Sequence, residues 1–348
     1  MTNLIKKFKE GVSLIVLLLS FIAAVYVLNS SWATKGPDLT ANNCMVWKNE
    51  TIYCGTLSSI VKSDDDGISW KVINKNTNWC NVRRLFITKS GKIFYARDNE
   101  GALWRADTND DTNWKQVLNS NPINGTFWGM AEDNEGSIYV GGYNLFSDAY
   151  CTQNALIWKS MDDGNTWNIV YNSSNNGIGN AIHIHFIGVD PYTDYVYAAQ
   201  DSDGIGCGMK ALIRSTDHAK TWTLLSNTTR SSYSTIQFTK DARILGEDAA
   251  FAGNASIVRT TDDQNFVPVL VLNGTMNANF YSSAKTNTGR LLFGTVVETD
   301  GNNASIWMSK DDGLTWQIAT DFGAKKIWHG IFSISNPGKN GVNYIYEQ

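Results

Sequence analysis

The chain has 348 residues, of which 43% are hydrophobic and 18% charged, with a net charge of −4. That apolar content excludes a disordered chain. The slightly acidic balance offers none of the basic surface that nucleic-acid binding needs.

In chain order, the first feature is Lys6, Lys7 and Lys9 ahead of an uncharged stretch from Gly11 to Ala33. Its most apolar part, Gly11 to Leu28, would make a helix of about 27 Å, close to a bilayer core. Positive charge on the preceding flank keeps that end in the cytoplasm. The expectation is one N-terminal transmembrane helix within residues 1–33, giving a single-pass protein with its N-terminus inside. If a signal peptide is instead cut after Ser31-Trp32-Ala33, the product is secreted. Residues 34–41 read as a linker and 42–348 as the exported domain.

Eight N-x-[ST] sequons, at Asn29, Asn49, Asn124, Asn172, Asn227, Asn254, Asn273 and Asn303, permit glycosylation. The cysteines also fit an oxidising compartment. Cys44 and Cys54 flank a predicted hairpin with its tip at Lys48-Asn49-Glu50, so a bridge across it is geometrically possible. Cys151 and Cys207 lie in corresponding long loops and form a second candidate pair, with Cys80 left over.

From residue 63 onward one pattern recurs, S-x-D-x-G-x-[ST]-W. It stands intact at Ser63-x-Asp65-x-Gly67-x-Ser69-Trp70, Ser160-x-Asp162-x-Gly164-x-Thr166-Trp167 and Ser309-x-Asp311-x-Gly313-x-Thr315-Trp316. Ser215-x-Asp217-x-Ala219-x-Thr221-Trp222 lacks only the glycine, and worn copies centre on Asp107 and Asp262. The aspartates lie 42 to 55 residues apart, a spacing that signals an array of structural repeats. Between copies, short runs rich in β-branched and aromatic residues alternate with Gly/Asn/Asp turns. Residues 124–170 show all four: Phe127–Ala131, Ser137–Gly141, Ala155–Ser160 and Thr166–Val170. Four antiparallel strands per repeat make a β-propeller blade. The expected class is all-β, with six complete blades and a C-terminal half blade from Trp328 to Tyr346. The ring is six- or seven-bladed, with seven preferred and the segment around residues 32–41 completing the last blade.

The repeated turns resemble the Asp-box, or BNR repeat, of the sialidase-like superfamily. Asp65, Asp107, Asp162, Asp217, Asp262 and Asp311 then have a structural role in the turns. The superfamily includes sialidases, other glycoside hydrolases, sorting-receptor ectodomains and photosystem-assembly factors, so the resemblance implies a propeller and leaves activity open.

The resemblance also places binding at the axial mouth opposite these turns. Aligning the blades on their second strands gives one position per blade there: Asn42, Arg83, Trp128, His185, Ser234 and Tyr281, with His329 or Trp328 from the tail. Of these, Arg83, Trp128, His185, Tyr281 and His329 are the candidate ligand-binding residues. Aromatic faces stack on sugar C–H surfaces while polar groups fix orientation. The leading expectation is therefore a glycan- or protein-binding surface module, held to the membrane by its N-terminal helix.

A diverged sialidase-type hydrolase and an assembly or scaffolding factor are the alternatives. Asp98, Asp201, Glu247, Tyr281 and Glu298 are candidate catalytic residues for the hydrolase, with a Tyr281–Glu298 pair imitating the sialidase nucleophile. Against it, there is no R-I-P motif, and only Arg83 or Arg84 is well placed to hold a substrate carboxylate. His183 and His185 alternate on one strand, so with Asp201 they are candidate metal ligands. No phosphate loop or dinucleotide fingerprint occurs, and no cofactor is expected.

Overall fold

The computed structural model describes residues 24–29, 32–35, 41–48, 50–56, 59–75, 82–98, 100–120, 125–144, 154–202, 209–228, 230–248, 254–338, 341 and 343–347. Cys80, Cys151 and Cys207 lie outside them, as do residues 1–23. The described chain is all-β, apart from a 3-10 turn at Gly274–Met276.

The N-terminal strands are β1 (Ala24–Asn29) and β2 (Trp32–Lys35). Next come β3 (Ala41–Trp47), β4 (Thr51–Thr56), β5 (Ser59–Ser63) and β6 (Lys71–Lys75). They are followed by β7 (Val82–Ile87), β8 (Lys92–Arg97), β9 (Ala102–Asp107) and β10 (Asp110–Asn119). The third set is β11 (Gly125–Glu132), β12 (Ile138–Asn144), β13 (Leu156–Ser160) and β14 (Asn168–Asn172). The fourth is β15 (His183–Val189), β16 (Val196–Asp201), β17 (Ala211–Ser215) and β18 (Thr223–Ser226). The fifth is β19 (Tyr233–Phe238), β20 (Arg243–Glu247), β21 (Ser256–Thr260) and β22 (Val267–Val271). The sixth is β23 (Asn279–Lys285), β24 (Leu291–Val297), β25 (Asn303–Ser309) and β26 (Gln317–Ala324). Last come β27 (His329–Ile334) and β28 (Asn343–Glu347).

Each set is an antiparallel sheet with its strands in chain order, and the sets form four-stranded blades in a propeller arrangement. In the remaining sheet β27, β28, β1 and β2 pair in that order. Of the stretch read as a helix from Gly11 to Leu28, the described part, residues 24–28, lies instead in a strand, Ala24–Asn29, paired with β28. Ala-Val-Tyr-Val-Leu is a short apolar run, and such runs suit a buried strand as well as a helix. Among the described residues no helix is long and apolar enough to cross a membrane. β1 and β2 come from the stretches read as the anchor and the start of the linker.

Neighbouring sheets bury both faces of the second strands, so β8, β16 and β24 are almost wholly buried. The core therefore lies between blades. Phe94, Ala96 and Leu103 of one blade pack with Phe127, Ile138, Val140 and Trp158 of the next. Close approach requires small residues on the second strand. A Cβ on Gly246 would stand 2.5 Å from that of Phe280, and one on Gly141 2.8 Å from that of Ile184.

The recurring aspartates sit in the turns between third and fourth strands. Asp65 accepts from Ser63 Oγ at 2.8 Å, Ser69 N at 2.8 Å and Ser69 Oγ at 2.6 Å. The Gly67 N–H reaches Ser63 Oγ at 2.8 Å, and Trp70 Nε1 donates to the Gly67 carbonyl at 3.0 Å. Asp162, Asp217 and Asp311 repeat the carboxylate contacts. Asn265 takes the place of the hydroxyl residue beside Asp262. Asp107 differs: it pairs with Lys92 at 2.6 Å, in a blade whose last two strands run on through a two-residue turn. The turn glycine combines positive φ with tight contact: Gly164 has φ +80°, and a Cβ there would meet the Phe94 ring of the preceding blade at 2.6 Å.

These bonds hold the turn carboxyls down. The Ser69 hydroxyl and amide bring Asp65 to about 2, and the Thr166 amide and hydroxyl do the same for Asp162. A carboxyl whose folded pKa lies below its unfolded one stabilises the fold above the unfolded value, about 4, and that stability disappears as pH falls through the folded value. Thermal stability is therefore expected to fall between pH 4 and pH 2. Asp162→Asn should flatten that slope in melts followed by circular dichroism, because it removes one titrating group. An unchanged slope would discount these turns as its origin.

All six outer strand pairs among blades two to six and the β3–β6 sheet carry a register irregularity, as between Ile157 and Trp158 or between Leu212 and Ile213.

Candidate functional site at the axial mouth

The first strands surround the axis and line a channel of about 640 Å³. Each has a shift of register against its second strand. The skipped residues are Asn42, Arg83, Trp128 with Gly129, His185, Ser234, Tyr281 and Phe332. A bulge re-aims a side chain and is common at barrel rims and beside sites. The tail member of this ring is Phe332, which corrects the choice of His329 or Trp328. Those two lie at the start of β27, where Trp328 is 49% exposed and His329 bonds back to the Ile327 carbonyl. The side chain of Asn42 lies outside the described residues.

The ring positions hold a series of aromatic contacts. Phe332 meets Tyr281 at 5.8 Å between ring centroids, and Tyr281 meets Trp128 at 6.0 Å. Trp128 lies 4.5 Å from Tyr143, which stacks on His183 at 4.2 Å and 4°. His183 in turn stacks on His185 at 4.8 Å. Tyr143, at the end of β12, was not among the sequence candidates. The Gly141-Gly142 pair before it was the available signal, because both glycines admit neighbouring side chains, Ile184 and Trp158.

The two adjacent arginines have different settings. Arg83 Nε donates to Asp98 Oδ1 at 2.8 Å, and its guanidinium lies over the Trp128 ring at 5.1 Å. Arg84 Nε donates to the Trp128 carbonyl at 2.7 Å, with its guanidinium 5.5 Å from the same ring. Burial and the charge of Arg83 bring the Arg84 pKa down to about 10, so it stays cationic at neutral pH.

The candidate acids fall into separate groups. Arg230 reaches both oxygens of Glu247, and although burial raises that carboxyl, the guanidinium opposes the rise. Burial alone would also raise Asp201. His185, Lys210 and His183, with a hydrogen bond from Ser232, overcome it and bring the carboxyl to about 2. His185 Nδ1 lies 3.9 Å from Asp201 Oδ2 and 3.7 Å from Asp248 Oδ2. The Tyr281 hydroxyl donates to Glu298 Oε1 at 3.2 Å. Burial, with Asp248 and Glu298 nearby, pushes the Tyr281 pKa far up, so the phenol holds its proton.

His183 and His185 lie face to face. Among the described residues, the ligand-type atoms that converge within 4.8 Å belong instead to Asp133, Asp194 and His218, in turns between strands. The buried Cys44–Cys54 disulfide joins β3 and β4, with Cys44 among the residues lining the channel.

No protein-family model matches the chain, and no curated protein does. Solved structures do resemble it. One is virginiamycin B lyase from Staphylococcus aureus in a catalytically inactive form with quinupristin. It is 15% identical, with a TM-score of 0.63, over 93% of this chain and 99% of that one. YCF48 bound to D1 peptide is 12% identical with a TM-score of 0.58, over 93% and 97%. The extracellular domain of the putative hybrid two-component system BT4673 from B. thetaiotaomicron is 12% identical with a TM-score of 0.61, over 90% of this chain and 37% of that one. At these identities the likeness is one of fold. The chain thus belongs among the β-propellers, an architecture that includes binding modules and a lyase.

Proposed function

We propose that the chain is an exported, membrane-associated surface module that binds a glycan in its axial mouth. The observation that carries this reading is the run of contacting rings from Phe332 through Tyr281 and Trp128 to Tyr143, at the head of an axial channel. Such rings offer flat apolar faces to sugar C–H surfaces, and the surrounding polar groups supply orientation. We further propose a seven-bladed ring of Asp-box type, in which β1 and β2 complete the last sheet. The Cys44–Cys54 disulfide and the basic, apolar N-terminus support export.

A protein ligand is the second form of the same reading, supported by YCF48, a propeller bound to a peptide. Sialidase-type hydrolysis has one observation in its favour, the Tyr281–Glu298 hydrogen bond. It is less well supported because the phenol is held protonated and Arg83 is bound to Asp98.

The test is a glycan array probed with the full chain and with a Trp128→Ala/Tyr281→Ala variant, while the supernatant is assayed for free sugar. Retention by the unaltered protein only, at least tenfold above the variant, is the expected result. Equal retention by both would remove the mouth from consideration. Released sugar would replace the binding reading with hydrolysis.

A further inference from the structure

We infer that Asp133, Asp194 and His218 form a site for one divalent metal ion of the Zn2+ type, which joins two blades at the end opposite the mouth. Asp133 stands in the turn between β11 and β12, Asp194 in that between β15 and β16, and His218 in that between β17 and β18. His218 Nδ1 lies 3.3 Å from Asp133 Oδ2 and 3.8 Å from Asp194 Oδ2, and the three ligand atoms lie within 4.8 Å of one another. Donors held about 2.0–2.1 Å from a tetrahedral Zn2+ are about 3.3–3.4 Å apart. The first spacing already fits, and a small inward shift of Asp194 brings in the second.

The charge around the imidazole is unbalanced. Glu135 Oε1 approaches the other ring nitrogen, Nε2, at 3.7 Å, so three carboxylates face one ring. No Lys or Arg among the described residues is ion-paired with any of them. Lys159 and Lys89 instead donate to the main-chain carbonyls of His218 and Asp133, each at 3.0 Å. A neutral imidazole has one proton to donate, and its second nitrogen only accepts. With the proton on Nε2, toward Glu135, Nδ1 turns its lone pair into the space shared by Asp133 Oδ2 and Asp194 Oδ2. Three acceptors meeting in one place call for a cation. A metal-bound histidine has the same outer arrangement, with its free N–H directed at a carboxylate.

The carboxylates are also oriented. Asp133, fully buried, uses Oδ1 to accept the Ser137 amide at 2.7 Å and the Glu135 amide at 3.0 Å, while the Tyr139 hydroxyl holds Oδ2 at 2.8 Å. Burial alone would raise the Asp133 carboxyl, but bonds from Tyr139, Ser137 and His218 outweigh it and keep the group ionised, as a ligand must be. Asp194 Oδ1 accepts the Asn134 amide at 2.9 Å, which leaves Oδ2 for the ion. His218 and Asp194 are part-exposed, so an ion enters from water and keeps a water in its fourth position. The sequence marks the same place. Asp66, Asp163, Asp263 and Asp312 follow the key aspartate in four other turns, and His218 alone replaces them, with all five at φ between +55° and +58°. Nitrogen combined with carboxylate oxygen selects Zn2+ over ions that prefer oxygen alone, such as Ca2+.

The full chain, freed of metal by chelation, is titrated calorimetrically with Zn2+ and separately with Ca2+, and melts are recorded with and without Zn2+. The unaltered protein should bind one Zn2+, at least tenfold more tightly than Ca2+. It should also melt later with Zn2+ present, because only the folded chain assembles the site. His218→Gln and Asp194→Asn should each weaken Zn2+ binding at least tenfold and remove the gain in melting temperature. His218→Asp, which restores the residue of the other turns, should move the preference toward Ca2+. Circular dichroism without metal establishes that each variant is folded. Absence of stoichiometric Zn2+ binding, or binding that survives His218→Gln, would overturn the inference. So would Zn2+ binding that is lost in His183→Ala instead, which would place the ion in the mouth.

Discussion

Replacing Phe94 by alanine should lower the unfolding free energy by about 3–5 kcal/mol, the usual cost of deleting a large buried aromatic side chain. Phe94 is fully buried on β8 and joins two blades. It stands edge-on to Trp167 at 6.2 Å and lies beside Gly164 of the next blade's turn, with Phe127 and Trp158 in the same cluster. The void left by alanine would face backbone on one side and rigid rings on the other, so little collapse is available to fill it. Urea denaturation should show an earlier midpoint, whereas Met161→Ala, at a side chain that is 75% exposed, should leave the midpoint within error. Equal midpoints for Phe94→Ala and the unaltered protein would mean that the joint between these blades carries little of the stability.

Gly129→Val should cost about 3 kcal/mol, through overpacking rather than a void. Even a Cβ at Gly129 would stand 2.6 Å from Ile187 N and 2.8 Å from the Phe186 carbonyl carbon. Both are backbone atoms of the next first strand, so no rotamer change can relieve the contact. The side chain can be accommodated only by separating β11 from β15. Because Gly129 follows Trp128 in the same bulge, the displacement would also break the Trp128–Tyr143–His183 contacts. The expected result is an earlier denaturation midpoint together with altered Trp128 side-chain chemical shifts. An unshifted midpoint would show that this approach of the two strands is not limiting.

Much of the fold could be read from the chain. The Asp and Gly of each intact turn have local duties, accepting amides and adopting positive φ, so they recur at fixed offsets and mark the blades. The copy around Asp107 was legible as worn because Lys92 now takes the carboxylate. β1 was not legible as a strand, because its run of alanine, valine and tyrosine is embedded in a longer apolar stretch that also suits a helix, whereas β2 falls in the segment around residues 32–41 that was expected to complete the last blade.

At the mouth, aligning second strands located the bulge position in the blades with a clear second strand. It failed in the tail, where Trp328-His329 drew the alignment three or four residues too early. A small or polar residue after the ring position, Gly129, Ser282 and Ser333, would have pointed to Phe332. The distinction between Arg83 and Arg84 was beyond local sequence, since it depends on which of the two reaches Asp98, just past the end of the neighbouring strand.

The irregular outer strands have a consequence for how such molecules behave when crowded. Val72, Ile169, Leu224, Val267 and Ile318 are exposed apolar side chains on those strands, each near a free sheet edge. A flat edge of that kind would template pairing with another copy. The register breaks along each outer pair interrupt the regular row of donors and acceptors, so an approaching strand meets no continuous ladder. Copies crowded together in solution can therefore touch perimeter to perimeter without fusing into a shared sheet, so the outer strands themselves oppose aggregation.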